Sequence, residues 1–97
     1  MPQFASGSFT AVGNGAAVGV QGAFNVHLWG TFTATVIVER SIDGGATWLP
    51  LSWDAFGTPN AYSAPVSLIV EEPGGGMLHR LRCSSYTSGA VNWAIGI

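Results

Sequence analysis

The residues of this chain that could do chemistry are two histidines, one cysteine and five carboxylates. His79 and Cys83 stand four positions apart in an alternating segment. In a strand that spacing puts both side chains on one face but about 13 Å apart, too far for a thiolate–imidazole pair. A meeting of His27 with Cys83 across strands is compatible with the sequence, although a buried or interface histidine is the simpler reading of each. Glu71 and Glu72 are adjacent, so in a strand they point to opposite faces and cannot act as an acid pair. Asp54 with Glu39 is the other conceivable pair, and no pocket is implied around it. Gly74-Gly75-Gly76 has neither the lysine nor the hydroxyl of a phosphate-binding loop, and no helix pattern follows it. A single cysteine excludes an intrachain disulfide and a thiolate metal cage. The expectation is a protein with no catalytic, cofactor-binding or metal-binding residues.

The elements that must carry these residues are strands. No window combines apolar residues at helical spacing with good helix formers. Alternation is clear in four segments. Phe24, Val26 and Leu28 oppose Asn25, His27 and Trp29. Ala34, Val36 and Val38 oppose Thr33, Thr35 and Glu39, with Ile37 as an apolar exception. His79, Leu81 and Cys83 oppose Leu78, Arg80 and Arg82, and Val91, Trp93, Ile95 and Ile97 alternate at the end of the chain. Weaker strands are expected at residues 8–12, 16–20, 47–53 and 65–70. Asn14-Gly15 reads as a two-residue hairpin turn, because both central positions of such a turn need positive φ. The segment from Asp54 to Ala64 is the longest irregular connection, and Glu72 to Gly76 a flexible turn in which Pro73 bars a central strand. The pattern predicts an all-β fold, a single-domain antiparallel β-sandwich of about eight strands, and a jelly-roll path is among the topologies it allows. Residues 1–97 form that one domain, with residues 1–20 a first hairpin or an N-terminal arm onto a neighbouring subunit.

Charge is scarce. The chain has three Lys+Arg, all of them arginine, and five Asp+Glu, so that 8% of its residues are charged against about a quarter in an ordinary soluble domain. Three cations cannot form the basic patch that nucleic acid requires. No apolar run approaches the ~20 residues of a membrane-spanning helix, and Met1-Pro2-Gln3-Phe4 lacks the start of a secretory signal. So few charges leave a thin sandwich with apolar outer faces, and contiguous exposed apolar patches mark interaction sites. Edge strands without lysine are also open to pairing with another chain. The candidate contact residues are Phe4, Phe9, Trp29, Phe32, Trp53, Phe56 and Tyr62, with Arg80 and Arg82 as interfacial ion-pair donors. Trp48, Trp53, Phe56 and Tyr62 could alternatively form a platform for stacking on sugar rings.

Ser41-Ile42-Asp43-Gly44-Gly45-Ala46-Thr47-Trp48 resembles the Asp-box, Ser-x-Asp-x-Gly-x-Thr-Trp, at every fixed position. Asp43 is expected to accept backbone N–H groups, Gly44 and Gly45 to take left-handed conformations, and Trp48 to pack over the turn. Sialidases repeat this motif once per propeller blade, and one copy cannot build a propeller. Turn capping is the expected role of Asp43, in preference to calcium binding.

From Trp29 onward, Gly30-Thr31-Phe32, Val38-Glu39-Arg40-Ser41, the Asp-box, Glu72-Pro73-Gly74, Arg80-Leu81-Arg82-Cys83 and Tyr86-Thr87-Ser88-Gly89 resemble small structural proteins of tailed-bacteriophage and prophage virions. The resemblance implies a non-enzymatic virion component assembled in the host cytoplasm, for example a capsid decoration or cement protein or a piece of a head fibre, spike base or tail, and the decoration protein is the expectation adopted. Its expected partners are itself, as a homotrimer, and the major capsid or other virion proteins. A glycan-binding module of a fibre, spike or tail is the alternative.

Overall fold

The computed structural model describes residues 3–52 and 61–97. Within them the chain is all-β and antiparallel. The strands are β1 (Phe4–Phe9), β2 (Gly13–Asn14), β3 (Val18–Trp29), β4 (Phe32–Ser41), β5 (Leu49–Pro50), β6 (Ala61–Tyr62), β7 (Val66–Gly89) and β8 (Val91–Gly96). They form one continuous sheet in the order β1-β8-β3-β7-β4-β5, with β2 added to β7 and β6 to β4. The sheet folds over on itself into a sandwich. The first layer holds β1, β8, most of β3 and residues 66–72 of β7; the second holds residues 78–89 of β7 with β4, β2, β5 and β6.

The alternation read from sequence gives the core. Phe24, Val26 and Leu28 of β3, Val91, Trp93 and Ile95 of β8, and Phe9 of β1 face inward from the first layer. Ala34, Val36 and Val38 of β4, with Leu81 and Cys83 of β7, meet them from the second. Phe9 stacks on Trp93 with centroids 5.5 Å apart. Two strands pass between the layers. β7 does so at residues 73–76, which bulge out against Gln21 alone, as strands that switch sheets commonly do at a bulge. At the opposite end Gly30 and Gly89 adopt φ of 115° and 86°, and Ala90 N donates to Thr31 O at 3.2 Å.

Four expectations are corrected. Asn14-Gly15 is not a hairpin turn: no non-glycine residue among the described ones has positive φ, Asn14 pairs with Arg82, and Gly15 N donates to Leu81 O at 2.7 Å. The segment lies flat along β7 because pairing there satisfies backbone groups that a turn would leave to solvent. The first strand is Phe4–Phe9 instead of residues 8–12, since Phe9 belongs to the core and ends it. Pro73 does not divide β7, because a bulge is a position where a strand tolerates the missing N–H. The strand expected at residues 47–53 is confined to Leu49–Pro50, and Trp53 lies outside the described residues, as does most of the Asp54-to-Ala64 connection.

Candidate functional site

The strand register lines up the outward side chains of the first layer in rows. One row runs Phe4, Gly96, Asn25, Ile69; the next runs Ser6, Ala94, His27, Ser67; a third runs Ser8, Asn92, Trp29. None of these is Asp, Glu, Lys or Arg. Small residues occupy the middle, and three large apolar side chains stand around them, Phe4 at 56%, Trp29 at 48% and Ile69 at 70% exposure. Ile97, also exposed, borders a shallow depression floored by Ala94 and Gly96 between Phe4 and His27. The polar groups of this face are turned on one another: Asn25 Nδ2 donates to Gly96 O at 3.3 Å and Ser67 Oγ lies 3.0 Å from His27 Nε2. Glu71, opposite Ala23, is the nearest charge along the strands.

The second layer handles its charges internally. Glu39 is buried on β4 and takes Arg80 Nε at 2.8 Å and Arg82 Nη1 at 3.5 Å. Arg80 lies over the Trp48 ring, 4.3 Å from its centroid, a cation–π contact. The Asp-box is formed as expected. Asp43 Oδ1 accepts Ser41 Oγ–H at 2.8 Å and Thr47 N–H at 2.9 Å, Trp48 Nε1 donates to Gly45 O at 3.0 Å, and Gly44 and Gly45 have positive φ. The Thr47 N–H bond, reinforced by Ser41, lowers the Asp43 pKa to about 2.

A third charged group sits where β7 changes layer. Glu72, 2% exposed, accepts both Arg40 Nε and Arg40 Nη2, the latter at 3.0 Å, together with Gly74 N–H at 2.9 Å and His79 Nε2–H at 2.9 Å. The Arg40 bond dominates in lowering the Glu72 pKa to about 2. Because His79 Nε2 must donate to a carboxylate, Nδ1 is the bare nitrogen. It is buried without a hydrogen-bond partner among the described residues, while the ring packs on Phe24 at 4.6 Å. Burial therefore lowers the His79 pKa. The unfolded chain binds a proton at His79 below its ordinary value of about 6.5, and the folded chain resists it. Stability is thus expected to fall as pH drops below about 6.5, levelling once the folded histidine also titrates. Urea midpoints measured from pH 7.5 to 5 check this, and a His79→Gln variant should flatten that slope.

Of the candidate contact residues, Phe4 and Trp29 are exposed on the first layer's outer face. Phe9 is core, Phe32 and Tyr62 are half-buried against the core, and Trp53 and Phe56 lie outside the described residues. Arg80 and Arg82 already share Glu39 within the chain. Trp48 is capped by Arg80, so the sugar platform is described only through side chains engaged elsewhere. Cys83 is buried and its Sγ donates to Ser85 O at 3.3 Å, whereas His27 is on the outside of the other layer. Among the described residues no three His, Cys, Asp or Glu cluster as metal ligands. Ile69 was not singled out from sequence, although Leu68 and Val70 facing inward fix it outward; Ile97, read as continuing the alternation of Val91, Trp93 and Ile95, is instead exposed, following Gly96 with its φ of 136°.

No protein-family model matches the chain, and no curated protein or solved structure is significantly similar to it.

Proposed function

We propose that this chain is a non-enzymatic structural protein of a tailed-phage virion, a decoration or cement protein that self-associates and binds the head lattice. One observation carries the reading: the outer face of the first layer presents Phe4, Trp29 and Ile69 around small uncharged residues. A free monomer gains nothing from such a face, whereas a flat protein neighbour can cover it without desolvating a single full charge. The second layer is in keeping with it, since its three arginines are each paired with a carboxylate within the chain. Bridging neighbouring capsomers adds buried area across seams, and many modest contacts on a repeating lattice hold through effective concentration.

Co-sedimentation with heads of the particle encoded beside it tests this. The purified chain should pellet with heads that lack it and raise the temperature at which they release DNA. A double variant, Trp29→Ser with Ile69→Ser, should stay in the supernatant while remaining folded. A wild-type chain that does not pellet, and whose peptides are missing from purified particles, sinks the proposal.

A further inference from the structure

Among the described residues β1 ends the sheet, and its outer edge is complementary to itself. Ile97 N donates to Gln3 O at 2.9 Å, which makes that pair a hydrogen-bonded one in the register that sets Phe4 opposite Gly96. Hydrogen-bonded and non-hydrogen-bonded pairs alternate along an antiparallel ladder. Ala5, Gly7 and Phe9 therefore turn their N–H and C=O groups to β8, and Phe4, Ser6 and Ser8 turn theirs away from the sheet. No strand among the described residues takes those groups. Natural edge strands usually discourage pairing with a charge, a proline or a bulge. Phe4–Phe9, Phe-Ala-Ser-Gly-Ser-Phe, has none of these.

We infer that β1 pairs antiparallel with β1 of a second copy about a two-fold axis through Ser6. This rests on the reading of the chain as self-associating and names the contact. The register follows from the outward groups. A bonded pair needs both members from Phe4, Ser6 and Ser8, and the two-fold that uses all three sets Ser6 against Ser6 and Phe4 against Ser8. Two bonds in each of three such pairs give about six across the seam. On the outer surface the exposed Phe4 ring comes to lie beside Ser8 and Ser6 of the second copy. On the inner side Ala5 meets Gly7, so the seam is small and no like charges face each other. Both uncharged outer faces then lie on one side of a single eight-stranded layer, doubling the docking surface that the proposed function requires.

Light scattering and a cysteine pair test it on the full chain. The wild type at high concentration should show twice the 10.0 kDa chain mass. Ser6→Pro should return it to the single-chain mass with an unchanged circular dichroism spectrum, since the Ser6 N–H is turned away from β8 and bonds no strand among the described residues. Ser6→Cys should oxidise to a covalent dimer, because the two sites face each other with Cα atoms about 5.5 Å apart, within the reach of a disulfide. Ser8→Cys, displaced along the strands from its own copy by about 13 Å, should not, and the buried Cys83 leaves the wild type uncross-linked. A monomeric wild type, or Ser8→Cys cross-linking as readily as Ser6→Cys, overturns the inference. A three-chain mass that survives Ser6→Pro overturns the two-fold seam while leaving self-association intact. Failure to bind heads, by contrast, would leave the seam standing.

Discussion

Gly89→Ala is expected to cost about 4 kcal/mol, a large share of the stability of a domain this small. Gly89 has φ of +86°, and a Cβ built there would lie 2.2 Å from Thr31 O and 2.7 Å from Phe32 Cα. The left-handed conformation alone costs an L-residue about 1–2 kcal/mol. The remainder comes from the overlap, because the obstructing atoms are backbone and cannot rotate away. Relief requires β7 to separate from β4 at the corner where the chain changes layer. Gly22→Ala is the control: its φ is +81°, yet no atom of the described residues lies within 4 Å of the added carbon, so only about 1 kcal/mol is expected. Urea midpoints at constant m-value measure both. Equal effects at the two sites would show that the backbone conformation, and not the close approach, is what matters.

The second large effect lies at the other end of the sandwich. Glu72→Ala is expected to cost about 3 kcal/mol, near the lower end for breaking a buried ion pair, because the side chain of Arg40 retains 35% exposure and can reach water. What is lost is a carboxylate that serves Arg40, His79 and the Gly74 amide at once. Glu72→Gln keeps an acceptor for Gly74 but gives up the charge, and about half the loss is expected. Arg40→Ala leaves a buried carboxylate with only neutral donors, so it should cost as much as Glu72→Ala. It should also raise the Glu72 pKa toward its ordinary value of 4.5, so that the loss of stability this carboxylate contributes between about pH 4.5 and about 2 becomes smaller. A Glu72→Ala loss below about 1 kcal/mol would mean the cluster does not hold the corner.

The core was legible in the sequence wherever alternation was strong. Phe24, Val26 and Leu28, or Val91, Trp93 and Ile95, could face only one way once the strand period was recognised, and the exposure of Trp29 followed from the same count. The Asp-box was legible because its bonds are local: Ser41, Asp43, Thr47 and Trp48 meet within eight residues. The early part of the chain was misread for the opposite reason. Asn14-Gly15 has the composition of a turn, but its partners Leu81 and Arg82 lie far along the sequence, and long-range pairing overrode the local preference. The Glu72 cluster escaped notice on the same ground. Glu72 and His79 are seven residues apart with Pro73 between them, and Arg40 arrives from another strand. Nothing short of the register shows that they converge. Phe9 was assigned to a surface that it does not reach, since an aromatic residue at the end of a weak strand gives no indication of which face it takes.

The passage of β3 and β7 from one layer to the other has a mechanical corollary. Two layers held only by side-chain contact can be peeled or slid apart. Here the backbone itself bridges them, as a cord laced through both covers of a book. Tension applied across the thickness is carried by covalent bonds, and shear must first draw the Glu72 corner straight. Under load, a domain of this build would give way at any contact with another molecule before it gave way inside.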